Sequence, residues 1–305
     1  MNHFDLSVCI PTYMGANKIS TLLKSLLKQT VKHFEVVVYI DGSTDASREM
    51  IEQDEFNILN IRLKEGANLG RAGARNMAAQ LASSKLLVFV DDDIRLEEDS
   101  LEKHFQHHQD YPNSILAGAL RDDATIATNE VQRCKAYWSR AWLPKKKKLL
   151  KRPFLSAANF SIAKTQYDDL GGFNEELSDL EDYEFAIRAF DKNISIYLDP
   201  EVIAWHHDQV DFDSYLKRKR EYEAAQRYLY LSSTLFREYD DRSYKVKKGL
   251  KAGILRLMSS NLMVNAIKKE QSWFMLIPRV LRYKLIDLTL VALSKQDLNS
   301  NSANP

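Results

Sequence analysis

A chain of 305 residues, 45% hydrophobic and 28% charged, can bury one large core or two smaller ones, and nothing in that balance favours disorder. Cys9 and Cys134 lie far apart and in no metal-ligand spacing, which argues against a disulfide framework or a zinc site and fits a reducing compartment. The net charge of +1 conceals a polarity: from Asp213 onward there are 18 Lys/Arg against 9 Asp/Glu, and before it 25 against 33, so the chain is acidic in front and basic behind.

The opening MNHFDLSVCIPTY has neither a basic leader nor a long apolar run, so the sequence predicts no secretory signal. The apolar stretch 273–293 is interrupted by Pro278, Arg279, Arg282, Lys284 and Asp287, which predicts no span and makes any membrane contact peripheral. The expected location is the cytoplasm, extending to the cytoplasmic face of an anionic membrane, with no nucleic-acid partner.

Along the front of the chain, short apolar runs alternate with amphipathic stretches. Strands are predicted at 6–10, 35–40, 58–63, 86–90 and 114–120, with helices at 18–28, 45–53, 71–81 and 96–109. Runs such as VVVYI and LLVFV are apolar on both sides, as strands of a parallel sheet covered by helices on both faces must be. Residues 124–152 read as irregular and include Trp138, Trp142 and four consecutive lysines, 145–148; strands are expected again at 158–162 and 202–205. From Asp213 the pattern is helical and without an internal repeat.

In a sheet of this kind ligands bind beyond the carboxyl ends of the strands, and those ends carry the unusual residues: Pro11-Thr12-Tyr13, Asp41-Gly42-Ser43 and Asp91-Asp92-Asp93. Three adjacent carboxylates repel one another and call for a cation. If the segment is extended, Asp91 and Asp93 face the same way and can share Mg²⁺ or Mn²⁺ while Asp92 points elsewhere. The competing reading is an acidic turn that caps a helix through IRLEEDSLEKHF. Asp41 either accepts a base N–H or serves the turn, where Gly42 bends the chain and Ser43 or Thr44 caps the next helix.

The small residues and arginines of NLGRAGARN, Arg71 and Arg75 among them, either approach a diphosphate or merely pack a helix with solvated arginines. The segment is no GxGxxG fingerprint. Ser178 and Glu181 have capping-box spacing, which leaves Asp182 as a general base or as a first-turn partner of the helix dipole. His206 and His207 end a strand, where an imidazole can ligate metal or be structural.

In their order, SVCIPTYMGANKI, VVVYIDGSTDAS, NLGRAGARN, LVFVDDD, GGFNEE and LEDYEF resemble glycosyltransferase family 2, over roughly residues 7–207. That resemblance implies an α/β GT-A fold: a mostly parallel, Rossmann-like central sheet flanked by helices, with a helical C-terminal extension. It implies a catalytic domain over 1–212, with a nucleotide-sugar half at 1–120 and an acceptor half at 121–212. The remainder, 213–305, would be basic and helical, with a disordered tail from about residue 296.

By the same resemblance Pro11, Thr12 and Tyr13 line the nucleotide site, Asp41 contacts the base, and Arg71, Arg75, Asp91 and Asp92 lie at the donor. Asp91 and Asp93 form a DxD metal motif for Mn²⁺ or Mg²⁺, with His206 as a further ligand. Asp182 is the catalytic base, and Glu181 and Gly172 lie on the acceptor side. From the residues alone, Trp138 and Trp142 either stack on an acceptor sugar there or serve packing. GGFNE with ED-x-EF is similar to the acceptor half of galactosyl-transferring relatives. The implied reaction is one inverting transfer from a UDP-sugar to a glycan or lipid-linked glycan in polysaccharide biosynthesis. The chain lacks the spans and the QxxRW-like segment of processive synthases. A sugar-1-phosphate nucleotidylyltransferase, which needs a glycine-rich loop where PTYMGANK stands, and a non-catalytic binding subunit are the alternatives.

Overall fold

The computed structural model describes residues 4–240, 253 and 256–300. It divides into two compact units, one made of the chain up to Arg121 together with Trp142–His207, the other of Asp122–Ala141 together with the chain from Asp208 on. The break thus falls five residues before the expected 212/213 boundary, and part of the segment read as acceptor half groups with the C-terminal helices.

The first unit is built on one nine-stranded sheet in the order β3-β2-β1-β4-β8-β6-β9-β5, with β7 also paired to β9. The strands are β1 (Leu6–Thr12), β2 (Phe34–Asp41), β3 (Asn60–Gly66), β4 (Leu86–Val90), β5 (Ile94–Leu96), β6 (Ser114–Asp122), β7 (Lys148–Leu149), β8 (Asn159–Ala163) and β9 (Ser195–His206). Those of the front half, β3, β2, β1 and β4, pair in parallel as their two-sided apolarity requires. Beyond β4 the pairing turns antiparallel, so the sheet is mixed rather than uniformly parallel. Burial along β9 alternates residue by residue, a pattern that suits an antiparallel strand with one solvated side.

The period of two divides the buried strand residues between two cores. Leu6, Val8 and Ile10 of β1, with Val36 and Val38 of β2, pack on one face with Leu22, Leu23 and Leu26 of α1 (Ile19–Leu27). Cys9, Val37 and Phe89 point to the other face, against Ala72, Ala78 and Ala79 of a helix at Gly70–Leu81, with Phe160, Phe173 and Phe185. The Phe89 and Phe160 rings stack there with centroids 4.7 Å apart. Small residues on that helix let its backbone lie close to the sheet. At the sheet's edge, β3 is partly exposed and carries Arg62, Lys64 and Glu65, charges that discourage pairing with another strand.

Counting a short α2 (Ser47–Ile51), the Gly70–Leu81 helix is α3, followed by α4 (Ser100–Asp110), α5 (Glu130–Ala141), α6 (Lys164–Asp169) and α7 (Glu181–Asp191). The second unit contains α5, α8 (Phe212–Ser232), α9 (Thr234–Tyr239) and further helices at Asn261–Lys268, Ser272–Met275 and Arg279–Ser300. Its own core joins Val131 and Cys134 to Phe212, Met263, Ile267, Phe274, Tyr283 and Ile286. Both cysteines are buried and free. Among the described residues no helix is long and apolar enough to cross a membrane. The last helix runs to Ser300; the rest of the tail expected from about 296 lies outside the described residues. So do Val246, Leu250, Ile254 and the lysines 245, 247, 248 and 251, which in the sequence begin a basic amphipathic stripe that continues at helical spacing through Leu257, Met258 and Leu262.

Candidate active site

The order 3-2-1-4 reverses between β1 and β4, and the crevice at such a reversal is where open α/β sheets bind ligands. The carboxylate run follows β4 there. Residues 92 and 93 form a turn and lead into β5, not into a helix. This corrects both sequence readings: the run is not extended, and it caps no helix, since α4 starts only at Ser100. The turn sends the three carboxylates to three different partners.

Asp92 turns inward. It is buried and accepts a 2.6 Å hydrogen bond from Thr12 Oγ1, tying the end of β1 to that of β4, with Lys18 Nζ 4.0 Å from its other oxygen. Burial pushes its carboxyl up to about 6, against the Thr12 bond and the Lys18 charge. A Cβ on Gly15 would stand 2.0 Å from Thr12 Oγ1, so this glycine makes room for the pair. The N–H groups of Met14, Gly15 and Ala16 donate to Ser43 Oγ, Ser47 Oγ and Asp45 Oδ2 at 2.9–3.0 Å. Ser43 thus holds the loop after β1, and Asp45 meets the Ser47 N–H at the head of α2 in place of the expected Ser43 or Thr44 cap. Pro11 lies within β1 and Tyr13 is 52% exposed on this loop.

Asp41, the last residue of β2, is buried and receives the Leu69 N–H at 2.6 Å at the entry to α3. Burial raises its carboxyl, and the backbone N–H groups of Leu69 and Gly70 oppose that. Gly42, at φ +68°, is needed because a Cβ would meet the Asn68 backbone N at 2.8 Å.

Arg71 and Arg75 diverge. Arg71 is largely solvated, 4.0 Å from Asp179. Arg75 is 4% exposed; its Nη2 donates to Asp91 Oδ1 at 2.6 Å and its Nη1 to Glu181 Oε1. Glu181 therefore belongs to no capping box with Ser178: Leu180 is the N-cap, at φ +65°, and no side chain caps it. Asp182 follows, accepting the Tyr183 N–H at 2.7 Å and the Ala157 N–H at 3.3 Å. Burial first and the neighbouring Glu181 second push its carboxyl up to about 7, while Arg75 and the two backbone donors hold it down. A carboxyl in that state exchanges protons near neutrality.

Asp93 and His206 meet across the β5–β9 pairing, Oδ2 to Nε2 at 3.3 Å, and the His207 N–H donates to the Asp93 carbonyl at 3.0 Å. The Asp93 carboxylate suits Mn²⁺ or Mg²⁺, and the His206 imidazole suits Mn²⁺ better than the harder Mg²⁺, whereas Asp91 is engaged by Arg75. Among the described residues there is no group of three or more His, Cys, Asp or Glu that could hold a metal, so these two would need the ligand's own oxygens to complete a shell.

Gly172, at φ +68°, lies in a loop held by Asn76, a residue the sequence reading passed over. Asn76 Oδ1 accepts from Tyr167 Oη and Phe173 N, and its Nδ2 donates to Phe173 O and Glu175 Oε1. A Cβ on Gly172 would stand 2.7 Å from Asn76 Oδ1, which gives this glycine a packing role. Trp142 is 49% exposed and edge-on to Phe154 at 4.8 Å. Trp138 lies in the second unit, edge-on to Tyr137 at 5.0 Å. The sequence reading also passed over three buried imidazoles of α4: His104 and His108 bond Ser161 Oγ at 2.8 and 2.9 Å, and His107 bonds Ser114 Oγ at 2.8 Å.

A mixed sheet of this order flanked by helices is that of the GT-A class. The model of glycosyl transferase family 2 matches residues 7–164, just over half of the chain, and the chain belongs to that family. Relatives include an uncharacterized glycosyltransferase, YibD, of Escherichia coli, 32% identical over 44% of this chain and 34% of its own length. Another is a putative teichuronic acid biosynthesis glycosyltransferase, TuaG, of Bacillus subtilis, 34% identical over 33% of this chain and 40% of its own. The chain spans less than two thirds of the length of the first curated relatives it matches. Among solved structures, S. aureus TarS 1–349 in complex with UDP-GlcNAc superposes over 97% of this chain and 92% of its own, with a TM-score of 0.58 and 17% identity. The mannosyltransferase PcManGT of Pyrobaculum calidifontis, in complex with GDP-Man and Mn²⁺, does so over 97% and 87%, at 0.62 and 16%.

Proposed function

We propose that this chain is an inverting glycosyltransferase that moves a sugar from a nucleotide-diphospho-sugar to a hydroxyl of a glycan or lipid-linked glycan, in the assembly of a cell-surface polysaccharide. The observation that carries the reading is the chain Asp91–Arg75–Glu181 with Asp182 beside it, which ties the end of β4 to a carboxyl that titrates near neutrality. In this reading Asp182 removes the acceptor hydroxyl proton as the oxygen bonds to the anomeric carbon. The bond from that carbon to the diphosphate breaks, and the nucleoside diphosphate leaves with the electron pair.

Thr12, Asp92 and the loop through Gly15 shape the floor beneath the donor, and Tyr13 supplies an exposed ring at its rim. Asp41, buried at the end of β2, is placed for the base, and UDP is the favoured nucleotide because an aspartate there suits uracil in the family this chain resembles. Asp93 and His206 would hold Mn²⁺ or Mg²⁺, which when bound offsets the charge gathering on the diphosphate. Gly172 and Trp142 stand on the acceptor side, and work is placed on the cytoplasmic face of the membrane.

The test is nucleoside diphosphate release from a panel of UDP- and GDP-sugars with Mn²⁺, for the wild type and Asp182→Asn. A lost general base should cut turnover by roughly a hundred-fold or more with donor affinity kept. Donor binding without release by the wild type, with any acceptor, would instead favour a binding subunit.

A further inference from the structure

Strand β8 pairs with β6 on one side, as far as Ala117 with Phe160, and with β4 on the other, where Asn159 stands opposite Val90, the residue before Asp91. Asn159 is fully buried, and a carboxamide in that position must find partners for both of its ends. Its Nδ2 donates to the Ala119 carbonyl of β6 at 3.3 Å and to the Val202 carbonyl of β9 at 2.9 Å. Gly118 makes this possible. A Cβ there would stand 2.2 Å from Asn159 Nδ2, so the carboxamide takes the space that any other residue would fill with its own side chain. One side chain thereby fastens β8 to two further strands.

With Nδ2 committed to two carbonyls, Oδ1 is the end that meets His104 Nε2 at 3.0 Å, and an amide oxygen only accepts. The neutral His104 thus carries its proton on Nε2, and its Nδ1 accepts from Ser161 Oγ at 2.8 Å. Asn159 is also the last residue of a turn. Its own N–H donates to the Ser156 carbonyl at 3.2 Å, and inside that turn the Ala157 N–H donates to Asp182 Oδ2 at 3.3 Å. Such a donor holds a carboxyl down only while it stays aimed at it. The charged groups that otherwise face Asp182 are Glu181 of its own helix and Arg75 of α3, itself bonded to Asp91 at the end of β4.

We infer that Asn159 is a positioning residue for the transfer reaction: seated over Gly118 and held by His104, it fixes the turn at residues 156–159 and so aims the Ala157 N–H at Asp182. The inference rests on the reading of Asp182 as the base. The Asp182 carboxyl can be followed without turnover, however, so the failure of one and the failure of the other are told apart.

The experiment is a pH titration of the Asp182 carboxyl carbon by NMR in the full chain, assigned with Asp182→Asn, with nucleoside diphosphate release measured alongside. Asn159→Ala removes the carboxamide, and Gly118→Ala keeps it but takes its place over β6. Either should raise the Asp182 midpoint by about one pH unit, the effect of a donor lost to a carboxylate. From a wild-type midpoint of about 7, release at pH 7 should then fall about five-fold and recover by about pH 9, because the base is only more often protonated. His104→Leu should move the midpoint in the same direction, whereas His104→Gln, whose side-chain amide N–H replaces the one on Nε2, should leave it near that of the wild type. Circular dichroism identifies the variants that fold. A purely structural role would lower their unfolding midpoints and leave Asp182 where it was, so an unmoved Asp182 midpoint in the folded variants would overturn the inference. Equal shifts in His104→Leu and His104→Gln would do the same. A moved Asp182 midpoint with an unmoved release profile would uphold the place of Asn159 and remove Asp182 as the base.

Discussion

Arg75→Met removes the one cation that joins Asp91 to Glu181 while keeping most of the side chain's volume, and its cost follows from the burial of the three groups. The side chains of Arg75 and Glu181 are 5% and 6% exposed, so losing the guanidinium leaves Glu181 buried without its cation; Asp91, at 30%, can recover water. Removing one member of a buried pair costs about 3–5 kcal/mol, and the hydration open to Asp91 places this variant near the lower end, about 3 kcal/mol. The deficit should also depend on pH. In the wild type the Arg75 charge holds the Asp182 carboxyl down against burial. Without it Asp182 moves higher still, and an acid whose folded value lies above its unfolded one destabilises the fold at high pH and is relieved as pH falls through the folded value. Urea unfolding at about pH 8 and about pH 5 should therefore show the larger loss at the higher pH. A loss under about 1 kcal/mol, or one equal at both pH values, would refute the idea that Arg75 is the electrostatic tie between the two halves of the site.

The remaining expectations are shorter. Turnover should rise with pH through about 7 as Asp182 gives up its proton, and Glu181→Gln, which removes a charge that pushes Asp182 up, should move the inflection to lower pH; an unchanged profile would assign the inflection elsewhere. Asp93→Ala should abolish Mn²⁺-dependent donor binding measured by calorimetry, whereas Asp92→Asn, which can still accept from Thr12, should lose much less; the reverse order would remove Asp93 and His206 as metal holders. Burial holds the imidazoles of His104 and His108 down to about 4 and that of His107 to about 3. Their contribution to stability is present above the ordinary histidine value and is lost as pH falls towards those folded values, so their NMR signals should not titrate between about pH 8 and pH 5.5; a midpoint near 6.5 for any of them would contradict that burial.

Much of the front half was legible because two-sided apolar runs leave little choice: β4 falls on residues 86–90 as read, and β1 and β2 differ from the reading by two residues or fewer at each end. The strand ends named the carboxylates, since charge directly after such runs marks the end of the buried strand, where a turn or a ligand can use it. What local pattern could not show were partners distant in sequence. Arg75 meets Glu181 across 106 positions, so nothing local marked it as buried, and the capping spacing from Ser178 offered Glu181 a false explanation. The strand β5 hid inside an acidic stretch because only its pairing with β9 makes those three residues a strand. In α5 the apolar positions are diluted by Arg133, Lys135 and Arg140, and the segment read as irregular. The imidazoles of α4 carried no local signal because their hydroxyl partners, Ser114 and Ser161, lie on the sheet.

The amide of Asn76 uses both of its ends on the loop at 171–175, accepting from Phe173 N and Tyr167 Oη and donating to Phe173 O and Glu175 Oε1. No other side chain of its size both donates and accepts in that arrangement: an aspartate has no donor there, and a leucine has neither function. The path of the loop is thus dictated from a helix almost a hundred positions earlier in the chain. Chimaeras that exchange this loop between relatives will inherit a mismatched anchor unless Asn76 and the glycine it presses against, Gly172, travel together. Retargeting such a protein by loop transplantation is therefore a two-segment operation, with the crossover points set by a single carboxamide rather than by the ends of the loop.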